Sequence, residues 1–407
     1  MPKISKILLL VMSVVLVLTV FLGVNSSGVS AASDQDGAYN QINVYSEVLR
    51  HIQTDYVVDP NIGSVTDGAL RGLLESLDAD SSYLTPEEYK IFKADKGGKA
   101  QIGVNVSKRF GYATVVSVIP NSPADKANLN DGDIVEAIGT QDTRNLSLAM
   151  IRLMLEGQPG TSLTVSVVRP RKTVPDKVTM TRAVVSYPAV AETMYENSSI
   201  LYLKPDVLDH DHVQQVEQKL KGMQKAGNKK ILLDLRDVAA GDMSDAMRLA
   251  NFLLPSGTIA SLEGQKVEKQ TFSVDASKTI NATAPVVVLV NRGTAGPAEI
   301  VAAALLDNKR AELVGERTFG EGAQEKTFEL PDGAAVILTV AKYESPSGKK
   351  LQDDAVTPGV LVASNIPDQD QDEEDETTEA KPAVQKPAVT VDEQLTKALD
   401  LLKSKAA

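Results

Sequence analysis

Few residues in this sequence have side chains that could catalyse a reaction or bind a metal. There is no Cys, and the three His are His51, His210 and His212. Without Cys, disulfides, Cys-ligated zinc, iron–sulfur clusters and thiol nucleophiles are excluded. The densest candidate is the Asp-His-Asp-His run at residues 209–212, whose side chains are metal-ligand types. Because it precedes a predicted helix, where acids favour the helix dipole, we interpret it as a solvated N-cap.

Two further features are better explained by structure than by chemistry. His51 lies on a helical stretch, and we predict that it is a packing residue. Residues 315–322 are rich in Gly but lack the Lys-Ser/Thr pair of a phosphate-binding loop. The sequence therefore predicts no metal, no bound nucleotide and no other cofactor.

Composition and charge narrow the class of protein. The chain has 407 residues, of which 43% are hydrophobic and 24% charged, so it is long enough for two or three globular domains. Its net charge of −12 argues against a nucleic-acid binder. Eight acids and no base lie between Asp368 and Glu379, so most of this charge belongs to one run. Such a run is typical of a disordered, solvated spacer, with an acidic docking tail as the alternative.

The N-terminus has the pattern of an export signal. Lys3 and Lys6 precede an apolar run over residues 7–24, and small residues follow up to Ala32. The run is also nearly long enough to span a bilayer, which takes about 20 residues. Residues 1–32 are therefore either a cleaved signal peptide or a membrane anchor, and both alternatives stay open. Either one places the rest of the chain in the periplasm or another extracytoplasmic space.

Hydrophobic periodicity divides the remaining chain into regions. Helical spacing dominates first, and Thr85 and Glu88 have the types and spacing of a capping box. Short β-rich runs follow, and then strands alternate with helices, which is typical of an α/β domain with a mostly parallel sheet. The predicted regions are residues 38–96 (helical), 97–170 (a β-rich domain), 171–195 (a connector carrying a strand), 196–366 (the α/β domain), 367–391 (an acidic and Pro-containing linker) and 392–407 (a C-terminal helix).

Four segments resemble those of the carboxyl-terminal processing proteases, which are S41 peptidases with an inserted PDZ domain. They are SLDADSSYLTPEEY at residues 76–89, PNSPADKANLNDGDI at 120–134, DLR at 234–236, and residues 290–320. The resemblance covers residues 38–365 and includes smaller matches at 343–348 and 357–358. It implies a multidomain α/β fold, with a core like that of ClpP and crotonase, an inserted β-rich PDZ domain and an N-terminal helical segment.

The resemblance also implies where a catalytic site would lie. The family uses a Ser nucleophile and a Lys base, and a Lys can act as a base only when desolvation lowers its pKa. Alignment of Glu299 and Ile300 places the nucleophile position on Gly296, and the family's Phe-Gly-Lys-Gly turn has Glu321 in place of Lys. Gly296 has no side chain to attack a carbonyl, and Glu321 is an acid where a neutral amine is required.

The elements that would bind the oxyanion differ as well. The residue after the nucleophile normally donates its backbone N–H, but here it is Pro297, which has no N–H. The loop that supplies another donor has Ala240 in place of its first Gly, and Glu325 stands where a Gln is expected. We therefore interpret the domain as a pseudoprotease with no intact catalytic residue. A displaced pair of Thr294 and Lys326 is the enzymatic alternative, although a loop Thr that bonds locally explains Thr294 better.

The PDZ-like domain keeps more of the residues that its function needs. PDZ domains add a C-terminal peptide as a strand to a sheet edge, and by resemblance the loop for its carboxylate is residues 101–104. In this loop Gly103 would permit a close approach of the backbone. A helix predicted over residues 146–155 would face the peptide, with Arg152 at its solvated edge. The predicted peptide-binding residues are Gln101, Ile102, Gly103, Val104, Leu148, Ile151 and Leu155, with core packing as the alternative for the apolar ones.

Three hypotheses about function follow. The leading one is an exported, non-catalytic homologue of these proteases that binds C-terminal or extended peptides and regulates an active protease relative. The second is an active endopeptidase with a relocated dyad. The third is a structural envelope protein that forms homo-oligomers through its helical ends. In each case we expect contact with a membrane only through the N-terminal segment.

Overall fold

The computed structural model describes residues 32–94, 100–109, 111–169, 174–364 and 391–405, with side chains from Tyr39 onward. Apart from Ala32 and Val391, the predicted export segment and the predicted acidic linker lie outside the described residues. Among the helices of the described part, none combines the length and the apolarity needed to cross a bilayer. Among the described residues, those up to Ala69 and those from Leu70 onward form two compact units.

Two helices begin the described chain, α1 (Ala32–Asp55) and α2 (Ile62–Glu75), as the helical spacing predicts. The prediction that His51 packs in a core is wrong, because its side chain on α1 is 56% exposed. The imidazole instead lies 2.5 Å from Asp55 and 3.2 Å from Glu47, one turn away on either side. Residues four apart on a helix are neighbours on its surface, which explains these contacts.

A short strand, β1 (Ser82–Leu84), and a helix, α3 (Pro86–Ala94), come next. The predicted capping box is confirmed: the Thr85 N–H donates to Glu88 Oε2 at 2.9 Å, and the Glu88 N–H donates to Thr85 Oγ1 at 3.2 Å. β1 was not predicted, since three residues carry too little periodicity to identify a strand. It forms through an antiparallel pairing with residues 335–337, far along the chain.

The β-rich domain follows, built on one antiparallel sheet. Its elements are β2 (Ala100–Gln101), β3 (Val104–Arg109), β4 (Tyr112–Val118), α4 (Pro123–Lys126), β5 (Ile134–Ile138), β6 (Gln141–Asp142), α5 (Leu148–Leu155), β7 (Glu156–Gly157), β8 (Ser162–Val168) and β9 (Asp176–Thr181). The strand order is β3-β4-β5-β8-β9, so β3 lies at an edge of the sheet. β9 is the strand predicted within the connector, and because it pairs with β8 it belongs to this domain.

The α/β domain contains the remaining elements. They are β10 (Ala191–Tyr195), β11 (Ile200–Lys204), α6 (His210–Gly222), β12 (Lys230–Asp234), α7 (Met243–Leu253), β13 (Thr258–Gly264), β14 (Val267–Ser273), β15 (Val286–Val290), α8 (Pro297–Asp307), β16 (Ala311–Gly315), β17 (Ala323–Glu329), β18 (Ala335–Glu344), α9 (Leu351–Asp354), β19 (Val360–Leu361) and α10 (Glu393–Ser404). One sheet has the order β10-β11-β12-β15-β16-β19 and is parallel except for β10, as the alternation of strands and helices predicts.

Helices cover both faces of this parallel sheet. Successive side chains of a strand point to opposite faces, so Ile231 of β12 packs in the core that includes α6, α7 and α8, while Leu232 packs under α10. Ala398 and Leu402 of α10 are fully buried there. The apolar face of the C-terminal helix is therefore used within the chain, which weakens the hypothesis that this helix drives oligomerisation.

A second sheet has the order β1-β18-β13-β14, and β17 pairs with β18. The pairing of β1 with β18 fixes the residues just before β1 close to the turn that precedes β17. This arrangement brings Asp80 next to Glu321, although the two lie far apart in the sequence.

Candidate functional site

Gly296 lies at the turn between β15 and α8, at the N-cap of the helix. Its φ of 53° and ψ of −113° require the left-handed region that favours glycine. A Cβ at this position would meet only Met243 Cε, 3.9 Å away, so a side chain would have room although the backbone would be strained. A sharp strand-to-helix turn of this kind presents the nucleophile in other hydrolases. Here it presents no side chain.

The backbone around Gly296 also offers fewer hydrogen-bond donors than an oxyanion site needs. Pro297 occupies the first position of α8, which suits the helix but supplies no N–H. In the loop of residues 238–241, Gly241 has a φ of 131°, and a Cβ there would lie 2.4 Å from the Leu208 carbonyl oxygen. Ala240 has no positive φ. Packing against Leu208 therefore requires glycine at position 241, whereas the backbone at position 240 is compatible with alanine.

The side chain of Glu299 connects the backbone at Gly296 to the backbone at Glu321 through hydrogen bonds. This fully buried side chain accepts hydrogen bonds at Oε2 from the N–H groups of Gly296 (3.0 Å) and Glu321 (2.7 Å). At Oε1 it accepts from the Gly320 N–H at 2.9 Å and from the Thr318 hydroxyl. Burial raises the pKa of Glu299 to about 8, and the four donors oppose that rise because they favour the charged form. Glu299 thus joins the turn at Gly296 to the segment of residues 318–321 through four hydrogen bonds.

A cavity of about 200 Å³, which we call the acid pocket, lies between the nucleophile and base positions. Its lining residues are Asp80, Ala239, Gly241, Met243, Gly296, Pro297, Glu321, Ala323 and Glu325. Burial raises the pKa of Glu321, and the charge of Arg152 opposes the rise. Partial burial against the pocket and the nearby charge of Asp80 raise the pKa of Glu325 to about 7. The base position therefore holds one of three crowded carboxyl groups and no amine.

Arg152 of α5 connects the acid pocket to the β-rich domain. Its Nη2 lies 3.3 Å from Glu321 Oε1 and 3.9 Å from Asp80 Oδ1. Its Nε donates to the Val106 carbonyl oxygen of β3 at 3.3 Å. From the sequence, Arg152 was predicted only at a solvated edge of α5, and no role was predicted for Asp80. Both act through partners that are distant in the chain, so no local pattern could have identified them.

A groove of about 370 Å³, which we call the β3 groove, runs along β3 and α5 and reaches Glu321. Its lining residues are Gln101, Ile102, Val104, Asn105, Val106, Val116, Arg152, Leu155, Glu156, Ala239, Ala240 and Glu321. Four of the predicted peptide-binding residues are among them, namely Gln101, Ile102, Val104 and Leu155. The acid pocket and the β3 groove meet at Glu321, which lines both.

Three of the predicted peptide-binding residues do not line the β3 groove, namely Gly103, Leu148 and Ile151. Leu148 is 2% exposed and Ile151 is fully buried, and both belong to the core of the β-rich domain. They share a helical face with Leu155, but that face packs on the sheet. Arg152, about 100° further round the helix than Ile151, points into the groove instead. This corrects the prediction that Leu148 and Ile151 contact a peptide.

Gly103 is needed for a different reason from the one that the sequence suggested. It has a φ of 90°, and a Cβ at this position would lie 2.1 Å from Ser122 Cβ. The close approach is therefore that of Ser122, not of a ligand. In the described part of the chain, the N–H groups of Ile102 and Gly103 donate to no backbone acceptor. Two donors at the end of the β3 groove thus remain available for a carboxylate.

The alternative nucleophile, Thr294, is fully buried. Its hydroxyl donates to the Leu235 carbonyl oxygen at 2.8 Å and accepts from the Asn291 N–H at 3.0 Å. Lys326 is exposed on β17 with its Nζ 5.3 Å from the ring centre of Phe328. The local hydrogen-bonding role predicted for Thr294 is confirmed, and the structure does not bring this Thr and Lys together.

Asp209 caps α6, as predicted for the Asp-His-Asp-His run. Its Oδ1 accepts a hydrogen bond from the His212 N–H at 2.9 Å. Across the residues that the structure describes, no group of three or more His, Asp or Glu side chains is arranged to hold a metal ion.

Comparison with known proteins matches each domain to a family. Residues 100–180 match the PDZ domain, and residues 199–362 match Peptidase family S41. The carboxyl-terminal-processing protease of Synechocystis sp. is 30% identical over 301 residues, which are 72% of this chain and 70% of that protein. The carboxyl-terminal-processing protease of Picosynechococcus sp. is 31% identical over 300 residues, which are 72% of each chain.

A solved structure supports the same fold. The photosystem II D1 C-terminal processing protease superposes with a TM-score of 0.65 and covers 79% of this chain and 92% of its own. At 24% identity this similarity concerns the fold alone. It agrees with the predicted architecture of an α/β core with an inserted PDZ domain and N-terminal helices.

Proposed function

The chain belongs to the carboxyl-terminal-processing protease family of S41 peptidases, and we propose that it is an exported member that binds peptides through its PDZ domain without cleaving them. In this proposal the S41 domain is a pseudoprotease that keeps the frame of a peptidase site. The observation that carries the proposal is Gly296, which occupies the strained turn of the nucleophile and has no side chain there.

The loss of catalysis rests on three groups, not one. Removal of the nucleophile alone lowers kcat by about 10⁶ in a serine protease, and further losses are not additive. Glu321, paired with Arg152 at 3.3 Å, cannot replace a neutral amine as the base. Pro297 supplies no N–H to the oxyanion, and one such donor is worth about 10²–10³ in kcat.

Peptide binding is supported by the edge position of β3. Strand addition needs an edge with free backbone groups, a groove for side chains and donors for the terminal carboxylate. β3 ends its sheet, the β3 groove follows it, and the N–H groups of Ile102 and Gly103 lie at the end of the groove without described backbone acceptors. The ligand is therefore a C-terminal peptide that adds to β3 of the PDZ domain.

Export is supported by the N-terminal pattern of Lys3, Lys6 and the apolar run over residues 7–24. Cleavage leaves a soluble protein and retention leaves one held at the membrane. In either form, the protein acts outside the cytoplasm and competes with active relatives for C-terminal peptides, which makes it a regulator of their proteolysis.

The test is a binding and cleavage experiment on the purified full chain. A fluorescein-labelled peptide of alanine and serine with a free C-terminal carboxylate is titrated with protein, and its amidated twin serves as the control. We expect saturable binding of the free acid, at least about tenfold weaker binding of the amide, and no cleavage of either. Equal binding of both peptides, no binding of either, or cleavage would contradict the proposal.

A further inference from the structure

The acid pocket contains more carboxyl groups than the described cations around it pair with. Arg152 forms the described ion pairs with Glu321 and Asp80. Its side chain is 40% exposed. Lys342 is the next cation near Asp80, but it pairs with Asp353 at 2.6 Å. The third carboxyl group, Glu325, has no ion pair among the described residues. One guanidinium thus pairs with two of the three carboxyl groups, and the third has no described cation as a partner.

Asp80 provides a second, independent sign of a missing donor. The residue is 6% exposed, and its Oδ1 accepts no hydrogen bond in the described structure. Its Oδ2 accepts from Gln352 Nε2 at 3.0 Å, so the side chain is held in place while one oxygen stays open. A buried carboxylate oxygen without a donor is costly, and it marks a position where a donor from outside the chain would be bound well.

The acid pocket also has the space for such a donor. Gly296 leaves open the volume that a side chain would fill, with Met243 Cε 3.9 Å from an added Cβ. The cavity measures about 200 Å³, and a water molecule occupies about 30 Å³, so a butylammonium or propylguanidinium group fits in place of several waters.

Peptide binding itself would increase the need for a cation. The Val106 carbonyl oxygen belongs to the free edge of β3, and Arg152 Nε donates to it at 3.3 Å. A peptide strand that adds to β3 takes this acceptor for its own N–H, so it competes with Arg152 at that point. When Arg152 leaves, Glu321 and Asp80 lose the cation that they share. A cation from the peptide would then replace Arg152 as the partner of these two carboxyl groups.

We propose that the acid pocket binds a basic side chain, of lysine or arginine, which the peptide lying along β3 carries upstream of its C-terminus. The inference rests on the proposed function and adds to it a preference for peptides that carry a basic side chain. The terminal carboxylate binds at Ile102 and Gly103, and a positive charge a few residues earlier binds between Asp80 and Glu321. The β3 groove reaches Glu321, so one continuous peptide contacts both sites.

A positional scan with synthetic peptides tests this inference. Fluorescein-labelled alanine and serine peptides of about ten residues, long enough at ~3.3 Å per residue to extend past β3, carry one lysine at successive positions upstream of a free carboxylate. In the matched series norleucine replaces lysine, which keeps the four-carbon chain and removes the charged ammonium group. We expect lysine to lower Kd by at least about tenfold relative to norleucine at one position or two neighbouring positions, and nowhere else.

Variants then assign the gain to the acid pocket. Glu321→Gln and Glu325→Gln should each reduce the ratio of lysine-peptide to norleucine-peptide affinity several-fold, whatever change they cause in the affinity for the norleucine peptides themselves. Glu325 lies on an exposed strand, so Glu325→Gln provides a second test of the acid pocket if Glu321→Gln does not fold. Glu268→Gln removes the same charge from exposed β14 and should leave the ratio unchanged.

The outcomes separate this inference from the proposed function. If norleucine and lysine peptides bind equally at every position, the inference is wrong and the proposed function stands. A lysine gain that survives both Glu321→Gln and Glu325→Gln also overturns it, because the charge would then be bound elsewhere. If no peptide of either series binds, the proposed function fails, and the inference fails with it.

Discussion

The guanidinium of Arg152 lies 3.3 Å from the carboxylate of Glu321, although the two residues are 169 positions apart in the chain. One belongs to the helix beside the β3 groove and the other occupies the base position of the S41 domain. A lysine at position 321 would place two cations next to each other, whereas glutamate forms an ion pair that joins α5 of the PDZ domain to the S41 domain.

Arg152 should act as a competitor of the peptide strand. We expect Arg152→Met to bind the norleucine peptide about fivefold more tightly, because the Val106 acceptor becomes free and one hydrogen bond is worth about 1 kcal/mol net. Fluorescence anisotropy measures this change. Arg144→Met is the matched control, since Arg144 pairs with Asp142 on the surface of the same domain. Weaker binding by Arg152→Met would show that Arg152 contacts the peptide instead.

Gly103 should be required for the shape of the carboxylate loop. In Gly103→Ala the new Cβ would clash with Ser122 Cβ at 2.1 Å, so the loop must shift. We expect the free energy of unfolding to fall by about 1–3 kcal/mol and the peptide affinity to fall at least about tenfold. Gly139→Ala is the control, because Gly139 has a φ of 62° with open space around it. Equal peptide binding by both variants would contradict this role of the loop.

The acid pocket should make the protein less stable as the pH rises from 4.5 to about 7. The pKa of Glu325 is raised from 4.5 to about 7 in the folded state, so the unfolded chain releases this proton first. Between these two values a rise in pH therefore favours unfolding. We expect a loss of roughly 1 kcal/mol, less than the full shift implies, since the side chain is exposed and screened.

Urea denaturation near pH 5 and near pH 8 measures this loss. Glu325→Gln cannot titrate at this position, so its stability should fall less than that of the unaltered protein over the same interval. An identical pH dependence of the two proteins would show that Glu325 titrates normally.

Restoring the nucleophile and the base should not restore catalysis. We expect Gly296→Ser with Glu321→Lys to stay inactive, because Pro297 still lacks the N–H for the oxyanion. The addition of Pro297→Ala should raise cleavage of an unfolded protein by about 100-fold or more over the pair. Ser at a φ of 53° costs about 1–3 kcal/mol, so thermal unfolding must first confirm that each variant is folded. Robust turnover by the pair alone would contradict the role given to Pro297.

The sequence predicted those parts of the fold that depend on neighbouring residues. The capping box of Thr85 and Glu88 and the alternation of strands and helices were both identifiable because their signals are local. The strands β14 and β17 were missed, since their residues are mostly exposed and polar and show no apolar alternation. Such strands form because a partner strand is present, which a local pattern does not reveal.

The residues of the candidate site also fall into two groups, those that a local motif predicts and those that only the fold brings together. Gly296, Pro297 and Glu321 were predicted because each lies in a recognisable motif. Asp80 and Arg152 were assigned no part in the pocket, since their contacts exist only after the PDZ domain has packed near the S41 domain. The helical face of Leu148 and Ile151 was recognised, but periodicity alone does not tell a core face from a ligand-binding one.

The central claim is that this S41 site performs no acyl transfer, and intact-mass spectrometry tests it most directly. The purified full chain is incubated with an unfolded protein, and the masses of both are followed alongside an active relative. We predict an unchanged mass for the chain and an uncut substrate, while the relative cleaves it. An acyl adduct on any side chain of this protein, or cleavage that Thr294→Ala abolishes, would contradict the account.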